Sequence, residues 1–202
     1  MARIGLLGGT FDPIHFGHLK AAAAALECAR LDQVLLIPAG RPPHKRGTRA
    51  SAADRLAMCR LAAAAGAGLG VWDWEANRPG PSYTVDTLRA FGEQRPSDQP
   101  FLILGWDAAR DLASWRNPEQ VLALAGLVVV GRPGLDSPTP EALLVAGIEP
   151  AGVILCLAAT PDVAATRVRR LAARGAPLEA LVPVPVATYI RDHHLYRRPQ
   201  PA

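Results

Sequence analysis

The chain is poor in several residue types, and each shortage excludes something. Of its 202 residues only three are cysteine and two methionine, and aromatics make up 5%. Cys28, Cys59 and Cys156 show no C-x-x-C spacing, so neither a zinc ribbon nor a disulfide-scaffolded small domain fits. They are expected to be reduced thiols of a cytoplasmic protein. Lysine is almost missing: Lys20 and Lys45 stand against twenty arginines. The basic residues are scattered rather than massed, so no nucleic-acid groove is expected, although a net charge of +4 suits an anionic ligand. No apolar run is long enough to span a bilayer, and "MARIGLLGG" breaks on glycine too early for a signal peptide, so no membrane partner is expected. Internal repeats, paired carboxylates and a Ser/His/Asp constellation are also missing.

What remains is half apolar and regularly punctuated. Short continuous apolar runs predict strands at 3–7, 33–37, 70–74, 101–104, 127–130 and 153–157. Helical patterns fall between them, at 18–30, 51–65, 84–93, 117–125 and 162–174. Ser51 and Asp54 have capping-box spacing, Asn117 is an N-cap with Pro118 at the first helical position, and Gly175 ends the last pattern. The stretches 40–48 and 132–140 are rich in Pro and Gly and read as surface loops. Alternating strand and helix with uninterrupted apolar strands predicts an α/β fold, a Rossmann-like doubly wound parallel sheet with helices on both faces. The whole chain, 1–202, reads as a single domain with a helical C-terminal part from about residue 158 packed on it. Ligands of such sheets sit beyond the carboxyl ends of the strands, which directs attention to the segments after each strand.

The first of these is "GLLGGTFDPIHFGH". Gly8 and Gly9 let backbone approach a ligand, and a helix begins near Gly17, so free N–H groups and the positive end of a helix dipole face the crevice. His15 and His18 project on one side of the first turn, where imidazole donors can hold phosphate oxygens as charge develops. Neither G-x-G-x-x-G nor G-x-x-x-x-G-K-[ST] is present, which argues against a dinucleotide oxidoreductase and a P-loop enzyme. No third ligand stands at helical spacing to complete a metal site with the two histidines.

"GGTFDPIHFGH" resembles the signature of nucleotidyltransferases with a [ST]-x-x-x-x-H-x-G-H element, with Thr10, His15 and His18 in its defining positions. The resemblance implies binding of ATP phosphates and stabilisation of transfer at the α-phosphorus. The motif alone leaves pantetheine-phosphate adenylyltransferases and cytidylyltransferases open. Later stretches are similar to the bacterial nicotinate-nucleotide adenylyltransferases, nearly end to end. "IPAGRPPHK" resembles the loop whose lysine, here Lys45, meets nucleotide phosphate; a compact ammonium suits that task. "EANRPGPSYTVDTL" resembles the pyridine-nucleotide segment, where the unpaired amides of Ser82, Tyr83 and Thr84 ahead of a helix would take a ring carboxylate. "FLILGWDAARDLASW" resembles the strand-Gly-x-Asp stretch, which implies Gly105 and Asp107 on the ATP side, Asp107 at ribose hydroxyls, and Trp115 stacked on the pyridine ring. Trp106 occupies a position that is small in that family. Arg132 in "VVVGRPG" resembles its arginine after the fifth strand.

In the C-terminal stretch the family's serine-serine-threonine becomes Ala164-Ala165-Thr166, followed by Arg169. Thr166 and Arg169 keep their implied role on ATP, and two hydroxyls are lost, each worth about 0.5–1.5 kcal/mol. His193 and His194 are expected at the surface. The resemblance as a whole implies transfer of an adenylyl group from ATP to nicotinate mononucleotide, forming nicotinate adenine dinucleotide and pyrophosphate in NAD biosynthesis. His15, His18, Lys45 and Arg169 would act catalytically. Gly8, Gly9, Thr10 and Phe11 would join the ATP site, and Mg2+ would arrive on ATP with no protein ligand assigned. A sister enzyme with a nicotinamide mononucleotide or pantetheine-phosphate acceptor, and a non-catalytic nucleotide-binding protein, are the alternatives. The oligomeric state is left open, a homodimer included.

Overall fold

The computed structural model describes residues 1–42, 47–131, 139–156 and 163–197. Six strands, β1 (Arg3–Gly9), β2 (Gln33–Pro38), β3 (Leu69–Val71), β4 (Gln99–Gly105), β5 (Gly126–Val130) and β6 (Val153–Cys156), form one sheet in the order β3-β2-β1-β4-β5-β6. Every neighbouring pair is parallel. Winding proceeds outward from β1 in one direction and from β4 in the other, so the crevice expected for a ligand lies between the carboxyl ends of β1 and β4.

Period-two alternation sorts the strand residues onto two faces. Val34, Leu36, Phe101, Ile103, Val128 and Val130 enter one core, and Leu35, Ile37, Leu102, Leu104, Leu127 and Val129 the other. The first core is covered by α1 (Phe16–Cys28), α2 (Ala52–Ala64), α8 (Ala165–Ala172) and α9 (Val184–Asp192). The second is covered by α4 (Thr84–Gln94), α5 (Trp106–Arg110), α6 (Pro118–Leu124) and α7 (Pro140–Val145). Burial on both faces is why these strands read as unbroken apolar runs. The C-terminal part joins the first core through Leu178 and Val182, between α8 and α9, and through Val186 and Ile190 of α9. No helix among the described residues is long and apolar enough to cross a membrane.

Several expectations need correcting. The strand anticipated at 70–74 stops at Val71, and Trp74 opens a short helix, α3 (Trp74–Asn77), with its ring stacked near that of Trp72. α1 begins at Phe16 because His15, in extended conformation, serves as its N-cap. Pro140, assigned to a loop, sits at the first position of α7, where Thr139 caps the helix by accepting the Ala142 amide. The cysteines are not all thiols. Cys28 at the end of α1 and Cys156 at the end of β6 form a disulfide across 128 residues of sequence, while Cys59 is free and buried. The pairing comes from the α1 crossover lying over β6, a tertiary placement invisible to local spacing.

Candidate active site

At the carboxyl end of β1 the chain turns sharply. Phe11 takes a left-handed φ of 47° and buries its ring edge-on against His18, the ring centroids 4.9 Å apart. The His15 and His18 rings stack with centroids 3.7 Å apart and planes within 22°. The His15 backbone N–H donates to His18 Nδ1 at 3.3 Å. That bond makes Nδ1 an acceptor, so a neutral His18 ring carries its proton on Nε2 and is a donor there. The sequence placed both histidines on one side of the first turn, and the structure does the same.

The two glycines differ in purpose. A Cβ on Gly8 would meet nothing within 4 Å, so that backbone lies open to a ligand. A Cβ on Gly9 would stand 2.9 Å from the Phe11 ring, so Gly9 is small to admit Phe11. Phe11, only 1% exposed, can offer a ligand little beyond its backbone.

The turn is fastened from three directions by groups that sequence reasoning missed. Asp12, buried, accepts the Arg49 and Ala50 amides at 2.7 and 3.1 Å and the Tyr196 hydroxyl at 2.9 Å. Arg55 is fully buried and donates to the Thr10 carbonyl at 2.7 Å and the Gly40 carbonyl at 3.0 Å, tying the exits of β1 and β2 together. Burial lowers the Arg55 pKa from its ordinary value, and Asp12 opposes the fall. Its place on the buried stripe of α2 with Met58, Cys59 and Ala62 was the available signal: a charge amid apolar residues at helical spacing needs partners. Tyr196 lies 184 residues from Asp12, and nothing local announces the contact.

α8 approaches the same turn. Arg169 donates to the Asp12 carbonyl at 2.6 Å, and a Cβ on Gly17 would lie 3.3 Å from the Val163 carbonyl oxygen. The amino ends of α1 and α8 therefore converge beside His15 and His18. Ala164 is the N-cap of α8 and makes no side-chain cap, with exposed Thr166 in the first turn. The expected loss of hydroxyl caps is seen directly.

Next to this turn a cavity of about 170 Å³ opens between the β1 exit and α4, and Gly8, Gly9, Thr10, Ser82, Thr84 and Trp115 all reach it. Tyr83 is the N-cap of α4 and Thr84 its first residue, so helix geometry leaves their amides without intrahelical acceptors. Ser82 differs from expectation. Its amide donates to the Arg41 carbonyl at 3.0 Å, and its hydroxyl accepts the Gly40 amide at 3.1 Å, so it builds the cavity wall instead of offering a free N–H. Arg116 lies over the Tyr83 ring at 4.6 Å. Gly105 caps α5, and Asp107 in the first turn of that helix pairs with Arg110 at 3.0 Å. Trp106 is 2% exposed and belongs to the second core, so its unusual size is absorbed away from the cavity. Lys45 and Arg132 lie outside the described residues. His193 and His194 are exposed, as expected.

The profile of the cytidylyltransferase-like family matches residues 6–171. A probable nicotinate-nucleotide adenylyltransferase of Pseudomonas syringae pv. tomato is 45% identical, covering 98% of this chain and 95% of its own. One of Symbiobacterium thermophilum is 43% identical, covering 98% and 97%. Among solved structures, nicotinic acid mononucleotide adenylyltransferase of Plasmodium falciparum complexed with NaAD superposes with a TM-score of 0.76 at 18% identity, covering 97% and 98% of the two chains. That likeness speaks for the fold. The chain belongs to the nicotinate-nucleotide adenylyltransferases of the cytidylyltransferase-like family.

Proposed function

We propose that the protein transfers the adenylyl group of ATP to nicotinate mononucleotide, yielding nicotinate adenine dinucleotide and pyrophosphate, a step of NAD biosynthesis in the cytoplasm. The observation that carries this reading is the adjacency of two unlike sites. A stacked histidine pair lies between converging helix amino ends, and beside it opens a cavity bearing the Thr84 end of α4 and the Trp115 ring.

The substrate's own phosphate oxygen attacks the α-phosphorus of ATP. A new P–O bond forms, the bond from the α-phosphorus to the bridging oxygen breaks, and pyrophosphate departs with that electron pair. The nucleophile is already an anion, so no side chain need take a proton. The protein's task is to align two mutually repelling anions and to meet charge growing on the leaving group. His18, with its Nε2–H as donor, and His15 would do this together with the Gly8–Thr10 backbone, Arg169, Thr166 and, as the resemblance adds, Lys45. Gly105 and Asp107 would receive the adenosine side, Asp107 exchanging its Arg110 partner for ribose hydroxyls. The Tyr83 and Thr84 amides would take the ring carboxylate, Trp115 would stack on the pyridine, and Arg132 would add an anion contact. An uncharged carboxamide gains less than a carboxylate at a helix amino end, so the acid form is preferred.

Mg2+ would travel with the triphosphate. Among the described residues no group of three or more His, Cys, Asp or Glu side chains gathers to hold an ion, and the steps above run through protein groups alone. The test is purified protein with ATP, Mg2+ and a panel of phosphorylated acceptors, read as pyrophosphate release. Nicotinate mononucleotide is expected to give the highest kcat/KM. Equal values for acid and amide overturn the role given to the α4 amino end, and no release with any pyridine mononucleotide overturns the function.

A further inference from the structure

Glu75 has no part in the chemistry above, yet it is a buried acid in the wall of the cavity. It sits in α3, and a Cβ on Gly40 would come within 2.2 Å of its backbone oxygen, so the exit of β2 packs directly on this short helix. Its carboxyl accepts the Thr87 hydroxyl at 2.6 Å. Ser82 in turn holds the Gly40 amide. Glu75 thus ties α3 to the start of α4, and Ser82 ties the residue before the α4 N-cap to the β2 exit, bracing the two residues between, whose amides would meet the substrate.

The Thr87 hydroxyl donates to Glu75 at 2.6 Å, and the Tyr83 carbonyl, 3.3 Å from the same oxygen, already accepts the Asp86 and Thr87 amides. Of the charged groups nearby, Arg78, just past the end of α3, lies over the Trp74 ring and faces Asp86 of α4 at 3.8 Å, Arg55 of α2 is engaged with the Thr10 and Gly40 carbonyls, and Asp73 pairs with Arg60 at the surface. Burial pushes the Glu75 carboxyl up, with the two hydroxyls and Arg78 acting against it.

We propose that Glu75 is a specificity-determining positioning residue. Its buried carboxyl, bonded to Thr87 and packed on the β2 exit that Ser82 holds, fixes the amino end of α4 for an anionic pyridine ring. This rests on the function proposed above. Gln in this place keeps a side-chain oxygen to accept the Thr87 hydroxyl, and Ala does not.

The experiment compares Glu75→Gln, Glu75→Ala and Thr87→Val with the unaltered protein, measuring kcat and both KM values by pyrophosphate release, with nicotinate and nicotinamide mononucleotides as acceptors. Glu75→Gln is expected within about threefold of the unaltered protein in every constant and in its acid-over-amide ratio. Glu75→Ala is expected to raise KM for nicotinate mononucleotide about tenfold or more, the equivalent of losing one or two hydrogen bonds, while KM for ATP stays within about threefold. Thr87→Val keeps the shape of the site and is expected to show the same one-sided rise, which serves if Glu75→Ala does not fold. A Glu75→Gln protein as impaired as Glu75→Ala overturns this positioning role, and so does a rise shared equally between the two substrates. An unaltered protein that uses no pyridine mononucleotide overturns the proposed function, and this inference with it.

Discussion

Tyr196 and Tyr189 make the same hydroxyl–carboxylate bond at two depths, which allows one contact to be weighed against the other. Tyr196 donates to buried Asp12 at 2.9 Å, beneath the turn that carries the histidines, and Tyr189 donates to Asp54 at 3.0 Å near the surface. Replacing either by Phe removes one oxygen and leaves the ring. A hydrogen bond to a charged group contributes about 1.5–3 kcal/mol when solvent cannot replace it. Asp12 retains the Arg49 and Ala50 amides, so Tyr196→Phe is expected to cost about 2 kcal/mol. For a domain of this size that is about 4–8 °C in Tm. Water can take over at Asp54, so Tyr189→Phe is expected to cost under about 1 kcal/mol. Asp12 also orients the turn that Arg169 and Arg55 hold, so kcat in the pyrophosphate assay should fall in Tyr196→Phe and not in Tyr189→Phe. Alkali sharpens the comparison. Burial and Asp12 raise the Tyr196 pKa, so above about pH 10 the unfolded chain loses the proton while the native one keeps it. Wild-type stability therefore declines with rising pH in that range, and Tyr196→Phe lacks that share of the decline. Equal Tm losses in the two variants would refute the reasoning.

Other substitutions probe separate parts. Arg55→Met removes two bonds to carbonyls but also the desolvation of a buried charge, so Tm should change by only a few degrees while kcat/KM drops sharply; a large Tm loss with normal activity would contradict its place between the two loops. Ala164→Ser restores a side-chain N-cap to α8 and should add about 1 kcal/mol of stability and lower KM for ATP; unchanged values would show that the missing hydroxyl is immaterial. Glu75→Gln should be more stable than wild type at neutral pH. A raised carboxyl contributes its full stability below the unfolded pKa of about 4.3 and loses it as pH rises toward the native value. Denaturant midpoints at pH 4 and pH 7 check this, and a less stable variant at pH 7 would mean that the native carboxyl is ionised.

The sheet was legible because its strands are buried on both faces, so "VLLIP", "FLILG" and "GLVVV" read as apolar runs whatever their neighbours. The histidine turn was legible because its chemistry is local: two glycines, two imidazoles and a helix start fall within a dozen residues. Trp74 misled because a tryptophan after a strand suits β structure equally well, and only the α3 turn that seats Glu75 decides otherwise. Ser82 misled because its amide has a partner, Arg41, on a different loop. Asp12, Tyr196 and the Cys28–Cys156 pair could not be read at all, since each depends on segments joined only by the finished fold. Local motifs announce the groups proposed to touch substrate. The groups that hold them still are scattered along the chain.

The central claim is that the histidine pair at the β1 exit stabilises charge on a triphosphate under attack. The turnover number of His18→Ala with ATP and nicotinate mononucleotide tests it most directly. Loss of a single transition-state donor predicts a fall of about two to three orders of magnitude with far less change in ATP affinity. A turnover number equal to that of the unaltered protein would contradict the account.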